Sequence, residues 1–369
     1  MRRAFLLAGL VAALASSAAG TTRVDGGGRV VLLTWNGFLD PLWVKPFERQ
    51  TGCKVSHRYA KSSDDMVRLL RAGRGRYDVV SPSGDVALRL VLARLVVRVD
   101  TRLVPASKDF FPVFRSPRAT TFGGAHYGIS ALWSPNVLLF DQRKVKRPRS
   151  WSAVYSERYR GRIAVPNNPF QIADAALYLS RARPALGIRD PFELTREQFG
   201  AAVTVLRQQR LLQARYWTYA SDEIQDFRNG DAVVGSGWPY QVSVLEAARV
   251  PVAEAAPREG MTGLIDSWMI AARARHPACA YRWLRYVSRP RVQAELALAF
   301  GETPVNARSC PFMNRIRKGS CAAFHADARR SYLSSIRFWK TPLRRCGFAR
   351  RTDCVPYAAW EKAWAQIVK

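Results

Sequence analysis

The sequence predicts an α/β protein of two units, each built around a sheet of mostly parallel strands. From Gly28 onward, apolar runs of strand length alternate with amphipathic segments of helix length. The alternation begins again after the stretch at 127–145. Strands that alternate with helices form parallel sheets whose faces the helices cover. The length of 369 residues also suits two domains.

The first unit opens with the continuous apolar strand VVLLTW. The segment DPLWVKPFERQTG follows as a short helix that Asp40 and Pro41 begin and Gly52 ends. An aspartate at the N-cap and a glycine after the last turn are the residues that satisfy the free backbone groups of helix ends.

A second strand, KVSHRYA, leads into the next helix of the first unit. Ser62 is its predicted N-cap, Asp65 takes the capping-box position and Gly73 is its predicted stop. YDVVSPSGD then forms a third strand that runs into a turn.

The second unit repeats this order. GRIAVPNNPFQIADAALYLSRA predicts a strand, a polar turn and a helix, and Thr195 with Gln198 caps the helix after it. A later strand ends at Trp238. Near GLIDSWMIAARA the chain is expected to return to the first unit.

Aromatic and polar residues follow most of the predicted strands. In open parallel sheets, ligands bind beyond the carboxyl ends of the strands. The six strand exits read TWNGF (34–38), SPSGD (81–85), ALWSP (131–135), PNNPFQ (166–171), SGWPY (236–240) and LIDSW (264–268). Aromatic faces and carboxylates suit a small cation. Any single exit suits packing in a core or domain interface equally well, but recurrence at several exits favours a binding site.

The first twenty residues are typical of an export signal. Arg2 and Arg3 precede an apolar run from Ala4 to Ala15, and small residues follow at cleavage spacing. The run is shorter than the roughly 20 apolar residues that span a bilayer. We therefore predict a cleaved signal peptide at 1–20 and a periplasmic protein, exported through the Sec route or the twin-arginine route.

Six cysteines in an exported chain favour disulfides over metal thiolates. Cys310 and Cys321 bracket one short loop, and Cys346 and Cys354 bracket another. Cys53 and Cys279 remain, either as a long-range third bridge or as free buried thiols.

The formal net charge is +30, and it stays at about +28 after removal of the signal. The arginines are spread over nearly every segment, without the aromatic interleaving of RNA-binding motifs or zinc-finger spacing. This pattern favours nonspecific adhesion to polyanions over recognition of a particular nucleic acid.

No enzyme motif is present in the sequence. There is no GxSxG, the segment GRGRYD fails both phosphate-loop patterns, and the four histidines lack metal-ligand spacing. We predict no catalysis, no metal and no cofactor. A catalytic set assembled only in the folded protein, as in a hydrolase, ranks last among the functions considered.

Several motifs together resemble those of the periplasmic spermidine/putrescine-binding proteins of ABC importers. They are LLTWNGFLDPLWVKPFERQTGCKV, YDVVSPSGDV, GLIDSWMIAARA and RFWKTP, in this order. The tail FWKTPLRRCGFARRTDCVPYAAWEKAW resembles the branch of that family with a cysteine-bounded insertion near its C-terminus. The resemblance covers essentially the whole mature chain.

The resemblance implies a type II periplasmic-binding-protein fold, in which two α/β lobes joined by hinge crossovers close on one ligand. The first lobe is expected at 28–132 and about 264–303, and the second at about 133–263 and 304–369. The implied partners are the transmembrane permease of an ABC transporter and a small amine ligand, bound by a monomer.

The resemblance also implies which residues contact the ligand. These are Trp35, Asn36, Phe38, Ser83, Asp85, Asn168, Gln171, Trp238, Asp266 and Glu302. Trp35 is expected to stack on the ligand, and Asp266 takes the position of the acid that pairs with a ligand amine.

Some positions depart from the family pattern. Asn168 and Gln171 stand where polyamine binders usually carry acids, Glu302 replaces a tyrosine, and Asp85 an aromatic residue. Asp85 is alternatively a helix N-cap residue.

Three alternatives therefore stay open for the bound molecule. One is a polyamine held by Asp85, Asp266 and Glu302, and another is a ligand with one ammonium end. The far end of that second ligand is neutral or anionic and is met by Asn168, Gln171 and Lys340. The third is an anionic solute in the same fold. Outside this class of function, the chain reads as an exported basic protein that adheres to polyanions.

Overall fold

The computed structural model describes residues 28–347 and 353–369, and the predicted signal peptide lies outside these residues. The strands are β1 (Gly28–Thr34), β2 (Cys53–Tyr59), β3 (Val79–Val80), β4 (Thr121–Phe122), β5 (Ala125–His126), β6 (Ile129–Pro135), β7 (Val137–Asp141), β8 (Ile163–Pro166), β9 (Arg215–Trp217), β10 (Val234–Gly237), β11 (Val252–Ala255), β12 (Met261–Ile270), β13 (Thr303–Pro304) and β14 (Ile336–Phe338).

The helices are α1 (Pro41–Thr51), α2 (Ser63–Gly73), α3 (Gly84–Leu92), α4 (Pro112–Arg115), α5 (Gln171–Ala182), α6 (Arg196–Leu211), α7 (Ala220–Asn229), α8 (Pro239–Ala247), α9 (Pro277–Val287), α10 (Pro290–Phe300), α11 (Cys310–Ile316), α12 (Ser320–Ala323), α13 (Arg330–Ser334) and α14 (Tyr357–Ile367). Within the described residues, no helix is both long and apolar enough to cross a membrane.

Two sheets define two lobes. The sheet of the first lobe has the order β13-β6-β12-β3-β1-β2, with β14 paired to β12, and that of the second has the order β11-β7-β10-β8-β9. The strands that lead each lobe are parallel, β1 to β2 and β3, and β8 to β9 and β10. The predicted two-lobed α/β fold is therefore confirmed.

The strands next to the crossovers are antiparallel. β12 runs antiparallel to β3 and β6, and β7 runs antiparallel to β10 and β11. The predicted parallel pairing thus holds for the leading strands of each lobe and for β14 with β12, whereas the strands at the crossovers pair antiparallel. β7 enters the second lobe from the first, and β12 enters the first lobe from the second. Each runs in the opposite direction to the strands that begin within the lobe it enters.

The chain crosses between lobes at the ends of β6 and β11. Asn136 alone separates β6 from β7, and residues 256–260 separate β11 from β12. We predicted these crossings from the sequence at 132–133 and 263–264, each within a few residues of the observed ones. Residues 304–338, which we expected in the second lobe, instead belong to the first: 310–326 pack on α10 around Met313 and Phe324, and β14 pairs with β12.

Local signals located several helix ends correctly. The Asp40 carboxylate accepts a hydrogen bond from Leu42 N at 2.7 Å, and Gly52 ends α1 with a φ of 69°. Thr195 and Gln198 form the predicted capping box of α6. Gly73 is the last residue of α2, and the left-handed residue after it is Arg74, so the predicted glycine stop is one residue early.

All three predicted cysteine pairs are disulfides. They join Cys53 to Cys279, Cys310 to Cys321 and Cys346 to Cys354. The first ties β2 to α9, two elements that are 226 residues apart along the chain. A bridge that closes so long a loop restricts the unfolded chain strongly.

A hydrogen-bond network joins the crossover to α5. Asn136 Nδ2 donates to Thr262 Oγ1 at 2.6 Å, and Thr262 Oγ1 donates to a carboxylate oxygen of Asp174 at 2.5 Å. Gln171 Nε2 donates to the other oxygen of Asp174 at 2.8 Å. Burial raises the pKa of Asp174 to about 7 in spite of these donors. The network fixes both crossing strands to the second lobe.

A second network holds the C-terminal segment between the lobes. Lys340 Nζ lies 2.8 Å from Asp190 and also bonds Glu193, and both carboxylates bind Arg118 of the first lobe. Burial alone would raise the pKa of Asp190, but Lys340 and Arg118 hold it below its ordinary value. Lys340 is thus paired with these two acids.

Replacing Lys340 with methionine (Lys340→Met) should lower the free energy of unfolding by about 3 kcal/mol, because it leaves two largely buried carboxylates with Arg118 alone. Urea unfolding at neutral pH measures this loss. The control is Lys362→Met on the exposed face of α14, which should change stability by about 0.5 kcal/mol or less. Equal effects of the two variants would contradict the prediction.

Candidate functional site

A cavity of about 620 Å³ lies between the two lobes. Its first-lobe wall comes from residues after β1 and β3, from the start of α2 and from the end of α10. Its second-lobe wall comes from residues after β8, β9 and β10. Seven of the ten predicted contact residues line it: Trp35, Asn36, Ser83, Asn168, Trp238, Asp266 and Glu302. The strand exits therefore converge, as expected for parallel strands.

The end of β1 is held firmly against its neighbours. The hydroxyls of Thr34 and Ser81 lie 2.6 Å apart, and Ala60 N donates to Thr34 O at 2.9 Å. Trp35 and Asn36 follow immediately, so a rigid strand end presents them to the cavity. Trp35 is half-buried, and its indole Nε1 is buried without a hydrogen-bond partner among the described residues.

Asp266 reaches the cavity from an irregularity in β12. The pairing of β12 with β6 shifts register between Ile265 and Ser267, which is the effect of a β-bulge. A bulge re-aims one side chain of a strand. The Ser83 hydroxyl donates to the Asp266 carboxylate, and the two residues also form a backbone bridge.

Glu302 joins Asp266 from the end of α10. Gly301 ends that helix with a φ of 90°, and the ring of Tyr240 from the second lobe lies over it. A methyl group on Gly301 would come within 2.5 Å of the Tyr240 ring, so a larger residue there would displace Tyr240 and the position of Glu302.

The two carboxyl groups of Asp266 and Glu302 lack any cationic partner within the described part of the chain. Burial raises the pKa of Asp266 to about 7, although Ser83 stabilises its ionised form, and Asp85 raises it further. Burial and the charge of Asp266 raise the pKa of Glu302 well above its ordinary value. Two acids buried together resist ionisation unless a cation enters.

Aromatic rings form most of the remaining wall. Trp217 and Trp238 pack edge to face with ring centroids 5.1 Å apart, and Trp238 Nε1 donates to Asn136 Oδ1 at 3.0 Å. Trp339 also lines the cavity and packs on Phe170, with ring centroids 4.7 Å apart. The Trp238 bond connects the cavity directly to the crossover network at Asn136 and Thr262.

The second-lobe wall carries no charge at the residues that line the cavity. It presents the amides of Asn167 and Asn168, the hydroxyl of Thr218 and the exposed ring of Tyr219. Asn168 Oδ1 already accepts from Phe170 N at 2.9 Å, and Asn167 Oδ1 accepts from Trp364 Nε1 at 3.0 Å. The acidic residues that line the cavity therefore all belong to the first lobe.

Three predicted contact residues do not reach the cavity. Phe38 is fully buried between Trp268 and Phe300, because the turn after Trp35 folds it back onto the core. Asp85 lies in the first turn of α3, where its carboxyl faces Ser63 and Arg89. Gln171 points to Asp174, which needs its amide as a donor.

Lys340, considered from the sequence for an anionic ligand end, is also outside the cavity. It is 4% exposed and forms ion pairs with Asp190 and Glu193. This removes the cation that an anionic end would have required.

Sequence reasoning missed five aromatic residues of the cavity: Trp217, Tyr219, Tyr240, Phe300 and Trp339. Tyr240 belongs to the exit SGWPY, and Trp339 belongs to the motif RFWKTP, so both lay in segments already singled out. Gly84 explains how Trp339 comes so close. A Cβ atom there would collide with the backbone oxygen of Trp339.

The chain matches the family of bacterial extracellular solute-binding proteins over residues 43–311. It therefore belongs to that family, whose members bind a solute and are not enzymes. This agrees with the two lobes and the cavity between them.

Individual relatives are similar over nearly the whole length. The chain is 24% identical over 354 residues to the putrescine/cadaverine-binding protein of Pseudomonas aeruginosa, covering 91% of this chain and 95% of that protein. It is 26% identical over 305 residues to the putrescine-binding periplasmic protein PotF of Escherichia coli, covering 79% and 81%.

A solved structure shares the fold. The spermidine/putrescine substrate-binding protein PotD of Streptococcus pneumoniae superposes with a TM-score of 0.72 at 15% identity, over 93% of this chain and all of that one.

Asp266→Asn should stabilise the ligand-free protein at pH 8 by roughly 1–3 kcal/mol. The pKa of Asp266 is about 7 in the folded protein, whereas an unfolded aspartate has its ordinary pKa of 3.8. Raising the pH from 4 to 7 therefore favours unfolding of the wild type, and asparagine removes that penalty. Urea unfolding at pH 5 and pH 8 measures it, and the gain should be smaller at pH 5. A loss of stability at pH 8 would contradict the assignment.

Proposed function

We propose that the protein is the extracytoplasmic binding component of an ABC importer and binds a small amine in the cavity between its lobes. The pair Asp266 and Glu302 carries this proposal. Two buried acids with raised pKa values and no counter-ion among the described residues form a receptor for an ammonium group.

The geometry around the acids supports an alkyl amine. Trp35 and Trp339 line the same cavity as the acid pair, and the buried indole Nε1 of each has no hydrogen-bond partner among the described residues. An aromatic face attracts an ammonium group and also packs against methylene carbons. The relatives are named as putrescine/cadaverine-binding, putrescine-binding and spermidine/putrescine-binding proteins, which agrees with this class of ligand.

Closure of the lobes on the amine would present the closed form to the transmembrane permease, with the protein acting as a monomer. The bond from Trp238 to Asn136 supports such a coupling, because a ligand that contacts Trp238 also touches the crossover. Export to the periplasm, with removal of residues 1–20, completes the proposal.

We further propose that the ligand has one ammonium end and one neutral polar end. The acids stand on the first lobe alone, and the lining of the second lobe consists of amides, hydroxyls and rings. A second ammonium there would lose its water without gaining a carboxylate. A carboxylate end would also lack a charged partner, because Lys340 forms its ion pairs with Asp190 and Glu193 outside the cavity.

Amine affinity should be about tenfold higher at pH 8 than at pH 6, because at pH 6 most Asp266 carboxyls hold a proton that the ammonium must displace. Isothermal titration calorimetry with putrescine or its monoacetylated form measures this. Running it in buffers of different ionisation enthalpy should reveal proton release.

Asp266→Asn and Glu302→Gln should each weaken binding, by about tenfold or more, and flatten the pH profile. Asp327→Asn, which removes an exposed carboxylate that forms no ion pair with other described residues, should bind as the wild type does. Tighter binding at pH 6 would refute the role of the acids.

N-acetylputrescine should bind about tenfold more tightly than putrescine, because the acetyl amide meets Asn168 and Thr218 without the cost of burying a second charge. 4-Aminobutanoate should bind least of the three. Competition by thermal shift or calorimetry ranks them. If putrescine binds best, the proposal of a ligand with one ammonium end is wrong, but the proposal of an amine site is retained. If none of the three binds, the proposal of an amine site is wrong.

A further inference from the structure

Seven exposed arginines lie together on the first lobe, at the edge of its sheet opposite the cavity. We call this surface the arginine pole. Its members are Arg29, Arg71, Arg74, Arg76, Arg94, Arg273 and Arg275.

The topology brings these arginines to one edge. The cavity residues follow the ends of β1 and β3, whereas Arg29 is at the start of β1 and Arg74 and Arg76 precede β3. β12 is antiparallel to β3, so its end, and Arg273 after it, returns to the start of β3. A strand of seven residues separates the two edges by roughly 20 Å.

Two adjoining depressions of about 300 Å³ each lie on the pole and share Arg74 and Gly75. Gly75 has a φ of 91°, and a methyl group on it would come within 2.9 Å of the backbone oxygen of Arg273. The bare backbone at Gly75 thus lets the loop after β12 approach the loop before β3. The arginines of both loops therefore line two depressions that adjoin at Arg74 and Gly75.

None of these seven arginines forms an ion pair with a carboxylate in the described ranges 28–347 and 353–369. Asp78 lies beneath them, but it is buried and accepts from Val31 N, Arg275 N and His276 N, and it bonds the His276 ring. Guanidinium groups stay charged at every physiological pH. The pole is therefore a concentrated, uncompensated positive surface.

Two apolar side chains stand exposed beside Arg94. Leu92 at the end of α3 is 50% exposed, and Val97 is 39% exposed. Val97 N donates to Ile270 O and Ala272 N donates to Leu95 O, so this loop packs on the end of β12 next to Arg273. Exposed apolar side chains among cations are typical of surfaces that enter a membrane interface.

We propose that the arginine pole docks the protein on an anionic phospholipid surface. The guanidinium groups bind headgroup phosphates in the two depressions, a contact that arginine makes with paired hydrogen bonds. Leu92 and Val97 enter the interface between headgroups. The cleft remains free at the other edge of the sheet, so a docked protein retains access to its ligand.

The test is co-sedimentation of the mature protein with vesicles of phosphatidylglycerol and phosphatidylcholine in equal parts. Binding should fall steeply with added salt and be absent with phosphatidylcholine alone. The triple variant Arg74→Gln/Arg76→Gln/Arg275→Gln should bind at least tenfold more weakly. Leu92→Ser/Val97→Ser should also weaken binding, about threefold or more, in high and low salt alike.

The matched control is Arg181→Gln/Arg183→Gln/Arg207→Gln, which removes the same charge from exposed positions of the second lobe. It should lose less than twofold. Equal losses in both triple variants would overturn the proposal, because attraction would then come from the diffuse net charge. Binding of tripolyphosphate at the pole without binding of vesicles would also overturn it, as would vesicle binding that is independent of Leu92 and Val97.

The triple variant at the pole should retain the amine-dependent rise in melting temperature, since the cavity is at the opposite edge of the sheet. That measurement also verifies folding. It separates the two proposals, because loss of vesicle binding with intact amine binding supports the pole and leaves the amine site unaffected.

Discussion

The arrangement of this protein depends on two carboxyl groups, those of Asp266 and Glu302, that folding buries between the lobes without a counter-charge among the described residues. Such a pair opposes folding at neutral pH, so the surrounding structure must hold it in place. Ser83 holds Asp266, and Gly301 with Tyr240 sets the position of Glu302. A cation in the cavity would relieve this cost, which links the stability of the closed lobes to the ligand.

The lobes meet through polar networks, and these have different tasks. The network of Asn136, Thr262 and Asp174 fixes the crossing strands and reaches the cavity at Trp238. The network of Lys340, Asp190 and Glu193 fixes the C-terminal segment instead. Two residues that seemed chemically suited to a ligand, Gln171 and Lys340, are used in these networks. Both residues donate to buried acids elsewhere in the fold, because leaving those acids without a partner would lower the stability of the protein.

Charges of opposite sign lie at opposite edges of the first lobe. The cavity is acidic although the chain carries a net charge of +30, and seven arginines gather at the edge of the first lobe farthest from the acids. At physiological ionic strength, fields fade over about 8 Å. An edge-to-edge separation of roughly 20 Å therefore keeps the field of the arginines away from the acidic cavity, as the two proposed sites on one lobe require.

The sequence by itself determined the α/β class, the caps at Asp40 and Thr195 and the two short-range cysteine pairs, because periodicity and local cap patterns predict elements and their ends. The seven residues of the cavity were implied by the family resemblance, and they meet because residues after parallel strands lie at one edge. Tertiary structure alone decided that Phe38 packs in the core, that Asp85 faces Ser63 of α2 and that Trp339 returns to the cavity past Gly84. Which way a side chain points at a strand exit depends on the partner that folding brings to it. Here those partners, Trp268, Ser63 and the C-terminal segment, are distant along the chain from Phe38, Asp85 and the residues after β3.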